Sequence, residues 1–524
     1  MKACCKGLCH KIVIVAAAAF LLAGCGGGGP VGVADAGPAG EWDPDAVLEV
    51  GFAGGAKTLD PYLQDTLGGT AFLTVLYDRL ITVDSEGNLV PGLAEAWSFA
   101  TDGTYLDLSL RKDVTFNDGA PFDAAAVAAN IERGKTLAGS VAAPVFRNIS
   151  AVSAVDDHTA RLHLVPGTGV ELPGAFTTNL GMMISPKVIA EGVDVRNGAA
   201  GAGSGAYVVS EFVPSESLTV TRSSRTYWDP EGGKLAGLEI TTIPEASTRM
   251  NGVQTGALDL TWVSSASESV QAQENAARGA FNVDKVPFRS VLGINVRARG
   301  DMADPELRQA LAYAIDPDEI NALFSGNCAP FRQMYPAASW ANDPSLDYPY
   351  SFDPEKAARL VAKGGGAHLT LTFGAGSNTE KPANVIQSQL SEAGFDVELN
   401  AVPVTQVEPR YMAGDFDASV SNAFVPKADP AETVTHFVLG SYGHSNGNPQ
   451  IEELAVRAAN PTLSQEERAP MYSQIWDLTL KEAMFVPICN QTNVTVFTNK
   501  VVGANEIPWV DLGTFDLRHV GMRK

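Results

Sequence analysis

Positive charge is scarce in this chain of 524 residues. It has 37 lysines and arginines against 60 aspartates and glutamates, which gives a net charge of -23 at neutral pH. Domains that bind nucleic acid need a basic surface, so this balance argues against a nucleic-acid partner. The excess of acid does not by itself indicate a cationic ligand, because a solvated acidic surface explains it more simply.

Motifs of catalysis and metal binding are also rare. The sequence has no H-E-x-x-H motif and, after residue 25, no C-x-x-C pair. The histidines are scattered singly, and the eight-residue spacing of His436 and His444 does not place two ligands on one helix face. We therefore predict no catalytic residue, no metal site and no cofactor. With 60 carboxylates, composition alone does not exclude an acid–base enzyme.

The N-terminus has the pattern of a secretory signal. Three lysines precede the apolar run Ile12–Leu22, which is too short to span a bilayer comfortably. The run leads to Leu22-Ala23-Gly24-Cys25, which looks like a bacterial lipobox, where cleavage exposes a cysteine that carries a diacylglycerol. We predict a lipoprotein signal peptide at 1–24, lipidation of Cys25 and a flexible glycine-rich tether at 25–45. The alternative is an ordinary secretory signal with an incidental cysteine.

No later run is long and apolar enough to form a transmembrane helix. The chain is therefore predicted to be extracytoplasmic and anchored to the cell membrane by its lipid, on the periplasmic side if an outer membrane exists. Of the six cysteines, only Cys328 and Cys489 follow the lipobox. The location permits a disulfide between them, but their spacing cannot show whether their Cα atoms come close enough.

Periodicity predicts a mixture of strands and helices. Tyr105–Leu110 alternates as a strand does, whereas the residues after Asp304 and Asp353 have capped, amphipathic helical patterns. Residues 369–373, 384–392 and 395–399 follow in the order strand, helix, strand, which predicts a parallel pair with a right-handed crossover. The apolar residues of 91–97 predict a short helix. The fold class is α/β.

A longer pattern connects these elements. Residues 88–127 contain Pro-x-Leu-Ala-Glu-x-Trp from Pro91, then Asp-Gly-Thr from Asp102, then Leu-Arg-x-x-Val-x-Phe-x-Asp-Gly-x-Pro-Phe from Leu110. This string resembles the signature of the family 5 extracytoplasmic solute-binding proteins, which serve peptide and nickel ABC importers. Leu307–Asp316 resembles a second conserved helix of that family.

The resemblance implies a two-lobed periplasmic-binding-protein-like fold (type II, cluster C) with an extra subdomain on lobe 1. Lobe 1 would span 46–290 with the insertion at about 82–195, lobe 2 would span 291–490, and 491–524 would return to lobe 1. It also implies a monomer that encloses an oligopeptide or a related small solute and delivers it to an ABC permease with its ATPase subunits. The alternatives are a nickel or other metal chelate bound by the same fold and, in another class, a lipid-anchored hydrolase.

Five residues are the candidate ligand contacts. The resemblance places the loop after Asp60-Pro61 beside the cleft, and there Asp65 is either a pocket acid or a solvated loop residue, with Thr66 next to it. Trp262 near a strand end either stacks on the ligand or belongs to the core. Asn422 and Phe424 belong to the segment where the family's peptide binders carry an aspartate for the ligand's ammonium group.

That ammonium-binding aspartate has no counterpart at the expected position. Pro426 stands in its place, and Ala423 stands in the place of the family's tryptophan, while Asp429-Pro430 is retained. Since a buried ammonium needs a counter-charge, either another acid such as Asp65 supplies it or the ligand is not an ordinary free-amine peptide. A local shift of one or two residues is the remaining alternative.

Overall fold

The computed structural model of the protein describes residues 42–524 apart from 65–66, 85–86, 199–200, 264–265, 336, 338, 425–426, 441, 505–506, 508 and 511–513. The predicted signal peptide, Cys25 and most of the predicted tether lie outside the described residues. Within the described part of the chain, no helix combines the length and the apolar character needed to cross a membrane.

The strands and helices follow one another along the whole described chain. In chain order the strands are β1 (Val47–Phe52), β2 (Ile81–Val83), β3 (Leu89–Pro91), β4 (Ala94–Phe99), β5 (Tyr105–Leu110), β6 (Ile149–Asp156), β7 (Thr159–Leu164), β8 (Tyr207–Val213), β9 (Ser217–Arg222), β10 (Gly237–Thr242), β11 (Leu260–Val263), β12 (Asn282–Val296), β13 (Cys328–Pro330), β14 (Ala367–Gly374), β15 (Phe395–Val402), β16 (Ala418–Phe424), β17 (Phe485–Phe497), β18 (Val501–Val502), β19 (Trp509–Val510), β20 (Thr514–Phe515) and β21 (Gly521–Met522).

The helices are α1 (Leu67–Leu73), α2 (Ala124–Thr136), α3 (Ala143–Phe146), α4 (Leu172–Ala175), α5 (Pro186–Ala190), α6 (Ala246–Thr255), α7 (Ala266–Ala277), α8 (Pro305–Ala314), α9 (Pro317–Leu323), α10 (Pro354–Gly364), α11 (Glu380–Glu392), α12 (Val404–Ala413), α13 (Pro430–Thr433), α14 (Pro449–Ala458) and α15 (Gln465–Glu482). A π-helix, Val434–Leu439, directly continues α13.

One large sheet runs through both lobes. Its strand order is β15-β14-β16-β12-β17-β11-β1-β10-β9-β8, and β13 pairs with β17 beside this path. Around β1, β10 and β11 the sheet packs into one apolar core, which defines lobe 1. Around β14, β15 and β16 it packs into a second core, which defines lobe 2. Apolar side chains that alternate along the strands face these cores, as in β1, where Leu48 and Val50 are fully buried.

The two longest strands connect the lobes. β12 and β17 pair antiparallel from Asn282↔Phe497 in lobe 1 to Asn295↔Phe485 in lobe 2. Their register shifts between Pro287 and Val291. Such bulges bend a strand locally, so the junction between the lobes lies at an irregular point of the ladder.

A disulfide joins β17 to β13, which lies on the side of β17 opposite to β12. Cys328 in β13 is bonded to Cys489 in β17, and their Cα atoms are 5.2 Å apart. Both cysteines are fully buried in the lobe 2 core. The pairing that the sequence left open is thus present, next to the junction of the lobes.

A separate antiparallel sheet, in the order β4-β5-β7-β6, has a core of its own together with α2. The helix predicted for residues 91–97 was wrong, because Ala94–Phe99 forms β4. In this strand Trp97 pairs with Leu108 of β5, and that cross-strand partner overrides the local apolar pattern. The turn at Asp102-Gly103 joins the two strands.

Local predictions for lobe 2 are confirmed. Asp304 caps α8 by accepting a hydrogen bond from the Glu306 backbone N–H, and Asp353 caps α10 in the same way through Lys356. β14 and β15 pair in parallel on either side of α11 in the sequence. These elements follow from short-range patterns, which is why the sequence alone was sufficient to predict them.

Candidate functional site

A cavity of about 420 Å³ opens in lobe 2. It lies where the parallel strands β14 and β16 end, the position at which open α/β sheets usually bind ligands. Its wall combines apolar side chains with amides, hydroxyls and both signs of charge. The polar residues in the wall include Ser377, Asn378, Ser421, Asn422, Glu408, Lys427 and His436.

Chain geometry brings these groups together. Gly374 ends β14 close to the following turn, where an added Cβ would lie 2.9 Å from the Ser377 hydroxyl oxygen. The chain can therefore fold tightly into α11 and place Asn378 at the cavity. On the opposite wall the π-helix contributes His436 and Phe437. Such wide helical turns occur frequently at functional sites.

A chain of amides leads from the cavity to the connecting strands. Asn422 Nδ2 donates to Asn378 Oδ1 at 3.1 Å, and Asn378 Nδ2 donates to Gln491 Oε1 at 3.0 Å. Gln491 belongs to β17, which runs from lobe 2 into lobe 1. The cavity is thus in hydrogen-bond contact with the junction of the two lobes.

Beyond Gln491 the same face of β17 carries Asn493 and Thr495, because every second residue of a strand shares a face. The intervening Val494 and Val496 pack into an apolar cluster on the other side. Gln491, Asn493 and Thr495, which we call the β17 polar row, are all buried. Sequence reasoning missed this row, although polar and apolar residues alternate from Asn493 to Val496.

Two lobe 1 residues on the neighbouring strands β11 and β12 lie beside the row. In the strand register Thr495 lies beside Trp262 of β11 and beside Asp284 of β12, so the three side chains share one face of the sheet. Burial raises the pKa of the Asp284 carboxyl. Asp284 is therefore an acid on this face that the sequence reading did not single out.

The structure describes three of the five predicted ligand contacts, and these three differ in whether they line the cavity. Asp65 and Thr66 lie outside the described residues. Asn422 is in the cavity wall. Trp262 is half-buried and packs against the lobe 1 core. Phe424 is 1% exposed and does not line the cavity; it lies behind it among aromatic rings, with Phe437 and Trp476 as neighbours.

The retained Asp429 has a structural role. Its carboxylate caps α13 by accepting a hydrogen bond from the Ala431 backbone N–H at 2.8 Å. It also forms an ion pair with Arg468 of α15, whose Nη1 donates to Oδ2 at 3.0 Å. Because these contacts occupy both of its oxygens, Asp429 does not supply a ligand counter-charge in this arrangement. Pro426 lies outside the described residues, and the Ala423 side chain is not described.

Helix α4 and the residues just before it touch lobe 2 beside Asp429. A Cβ added at Gly174 in α4 would lie 3.1 Å from the Asp429 backbone nitrogen and 3.3 Å from the Ala428 Cβ. Val170, just before α4, is buried in the aromatic lobe 2 cluster. Burial, with the Asp429 charge nearby, raises the pKa of Glu171. Gly174 therefore marks a close approach between α4 and the segment that leads into α13.

One motif that sequence inspection passed over bears on the hydrolase alternative. Gly443–Gly447 has the G-x-S-x-G spacing of a nucleophile elbow. The segment follows the π-helix rather than a strand, and Ser445 is only 5% exposed. Burial lowers the pKa of the neighbouring His444 to about 3, and its Nε2 contacts the Asn295 side chain. The motif therefore gives no support to a hydrolase.

The metal-chelate alternative concerns the histidines and acids of the chain. Across the described ranges, no group of three or more histidines, cysteines or acids is placed to hold a metal ion. In the cavity wall the His436 Nε2 lies 4.0 Å from the Glu408 carboxylate. This pair supplies at most two ligands of its own.

The architecture is that of a two-lobed solute-binding protein, and comparison with known proteins establishes the family. Residues 88–445 match the model of the bacterial extracellular solute-binding proteins, family 5 Middle. The match covers more than half of the chain, so the chain belongs to this family. It is the solute-binding component of an ABC importer and acts outside the cytoplasm, as the signature segment implied.

Individual relatives extend the comparison over most of the chain. The glutathione-binding protein GsiB of Escherichia coli K12 is 25% identical over 498 residues, which cover 88% of this chain and 91% of GsiB. The structure of DppA from Helicobacter pylori in complex with the peptide STSA has a TM-score of 0.75 at 20% identity and covers 92% of this chain and 98% of DppA. NikA from Brucella suis in complex with Fe(III)-EDTA has a TM-score of 0.75 at 21% identity and covers 92% and 100%. The predicted two-lobed α/β fold is confirmed.

Proposed function

We propose that the solute is a short peptide or a peptide-like small molecule, captured between the lobes and handed to a membrane permease. The observation that carries this proposal is the lobe 2 cavity with its amide and hydroxyl wall beside the connecting strands. Such groups pair well with peptide amides, and the apolar Val404, Val407 and Phe437 can cover a side chain.

The charges in the wall fit a zwitterionic solute. Lys427 can pair with a carboxylate, and Glu408 can pair with an ammonium group. Asp284, on the face of the β17 polar row, is a second acid for this role, as is Asp65 by its place in the sequence. The name of GsiB, a glutathione-binding protein, and the peptide bound to DppA support the same class of solute.

We also propose how the protein is held at the membrane. A signal peptide at 1–24 would be removed, Cys25 would carry the lipid, and 25–45 would be the tether of a monomeric body that binds its solute without converting it. Lobe boundaries at 46–290, 291–490 and 491–524, with the insertion at about 82–195, complete this proposal. Cys25→Ser should release the protein from membranes, and a variant that stays membrane-bound would contradict the anchor.

The solute class is tested by a thermal-shift screen followed by calorimetry. Glutathione and tri- and tetrapeptides should raise the Tm of the purified body, and recovery of the intact ligand would show binding without turnover. N-acetylated and C-amidated forms of the same peptides separate the contributions of the ammonium and carboxylate groups. A shift only with sugars would overturn the peptide class. A shift only with metal chelates would favour the second candidate, for which His436 in the cavity wall is the supporting residue.

Gly174→Val is expected to weaken solute binding while leaving the unliganded Tm nearly unchanged. The added side chain meets Asp429 only when the subdomain approaches lobe 2, so overpacking of about 1–3 kcal/mol falls on the closed state, or roughly 5- to 150-fold in Kd. Calorimetry with the peptide that raises the Tm most in the screen measures this change in Kd. The control is Gly54→Val, because nothing lies within 4 Å of an added Cβ there. An unchanged Kd for the Gly174 variant would show that closure does not require this contact.

A further inference from the structure

Most side-chain polar atoms of the β17 polar row are buried without a hydrogen-bond partner among the described residues, the exception being Gln491 Oε1, which accepts from Asn378. Asn493 is 0% exposed, and neither its Oδ1 nor its Nδ2 has a hydrogen-bond partner among the described residues. The same holds there for Gln491 Nε2 and Thr495 Oγ1. In the cavity wall, Asn422 Oδ1 is a further acceptor without a partner in the described part of the chain. These atoms lie along one path from the cavity to lobe 1.

Such a row needs a physical reason, because native proteins pair the great majority of their buried polar groups. Asn130 shows the usual arrangement: it is also 0% exposed, and its amide donates to Ala126 O and Ile184 O and accepts from Ile184 N–H. The unpaired atoms of β17 lie instead on the strand that connects the two lobes. A group that enters between the lobes can therefore reach them when the lobes separate.

We propose that the β17 polar row recognises the solute. When the lobes close on the solute, Gln491, Asn493 and Thr495 form hydrogen bonds with its uncharged amide groups. When the lobes close without a solute, these groups are buried unpaired, so the row disfavours empty closure. The proposal deepens the proposed function and rests on it for the identity of the solute.

The chemistry of the row indicates the class of group that it recognises. Asn493 presents a donor and an acceptor together, and Gln491 adds a donor. An amide offers a matching acceptor and donor in one plane, whereas a carboxylate offers only acceptors and an ammonium only donors. Row members two residues apart are separated by about 6.6 Å along the strand, which equals the two-residue repeat of an extended peptide. The row therefore fits the main chain or side-chain amides of a peptide rather than its charged ends.

The decisive variant is Asn493→Leu, which keeps the branched side chain of four heavy atoms and has no polar atoms. Replacing an unpaired buried amide by an apolar side chain leaves the solute-free protein as stable or more stable, yet removes the contacts to the solute. We expect an unchanged or higher Tm without solute and a Kd for glutathione or tri-alanine raised about tenfold or more. Thr495→Val is the second, more conservative variant and should change both quantities in the same direction.

Asn130→Leu is the matched control, since it makes the same substitution at an equally buried amide that is fully paired. It should lower the Tm and leave the Kd unchanged. Closure is followed by fluorescence transfer between dyes on cysteines introduced at the exposed Val155 and Val456 in the body that follows Cys25, where Cys328 and Cys489 are joined in a disulfide. Without solute, Asn493→Leu should increase the closed fraction.

The outcomes separate the two proposals. If Asn493→Leu lowers the Tm as Asn130→Leu does and leaves the Kd and the solute-free closed fraction unchanged, the row is an ordinary buried element and the inference is wrong. If no peptide binds the unmodified protein, the peptide class fails. The solute-free closed fraction still tests the row in that case: an increase in Asn493→Leu supports it, and no change overturns it.

Discussion

Asp516→Asn is expected to lower the free energy of unfolding by about 3–5 kcal/mol, because the buried Arg79 loses its carboxylate partner and the buried Arg518 loses the nearer of its two. Asp516 is 1% exposed and accepts hydrogen bonds from Arg518, through Nε at 2.8 Å and Nη2 at 2.6 Å. It also forms an ion pair with Arg79, which is equally buried.

The pair belongs to a larger network that ties the end of the chain to lobe 1. Arg518 Nη1 lies 3.4 Å from the Asp78 carboxylate, which also accepts hydrogen bonds from Ser204, Tyr227 and Trp228. Each buried charged group in the network is thus paired with an opposite charge or accepts several hydrogen bonds. Removing one member therefore affects the whole set, because the others cannot regain water.

The same network predicts the dependence of stability on pH. Burial alone would raise the pKa of Asp516, but the charges of Arg518 and Arg79 outweigh it and hold the pKa well below its usual value. A carboxyl with a depressed pKa stabilises the fold above its ordinary pKa of about 3.9, and this stabilisation is lost as the pH falls further. The difference between the unmodified protein and Asp516→Asn should therefore shrink in strong acid.

Urea unfolding at neutral pH measures the effect. The control is Asp194→Asn, which breaks an ion pair with Arg196 whose two side chains are 53% and 63% exposed, and which should change the free energy of unfolding far less. A loss for Asp516→Asn as small as that of the control would contradict a coupled buried network.

This network shows what sequence reasoning could and could not reach. Arg79 and its partner Asp516 are 437 residues apart in the sequence. No periodic pattern connects such distant positions. The caps at Asp304 and Asp353 were predictable because a cap and its helix are adjacent in sequence.

Only part of the candidate site could be predicted, because the sequence shows local patterns but not contacts between distant residues. Asn422 was named from its place in the family pattern, and it does line the cavity. The same pattern could not show that the nearby Phe424 turns into an aromatic core, since the rings around it come from other elements. The β17 polar row is visible in part as alternation. Its meaning depends on the pairing of β12 with β17, which only the structure shows.

Replacing both Cys328 and Cys489 by alanine is expected to lower the free energy of unfolding by about 2–5 kcal/mol. The two residues are 161 positions apart, and by the loop-entropy relation a crosslink of that span restricts the unfolded chain by roughly 5 kcal/mol, an upper value. The Cα separation of 5.2 Å is within the usual range for a disulfide, so the native backbone accommodates the bond.

The location of the bond adds a local consequence. β13 has only three residues and pairs with β17 at Cys489, Asn490 and Gln491, so the disulfide holds it against the strand that carries the polar row. Losing the bond should loosen the pairing of β13 with β17, and hydrogen exchange at the backbone amides of residues 328 and 329 should accelerate more than exchange in β1.

Urea unfolding of the double variant, compared with the oxidised protein, gives the free energy. Both sulfurs are buried in the folded state, so a reductant should have little effect on the native protein and should act only once the chain unfolds. Unfolding in reductant should therefore bring the unmodified protein to the stability of the double variant. If the double variant were as stable as the oxidised protein, the bond would restrict neither the unfolded chain nor the junction between the lobes.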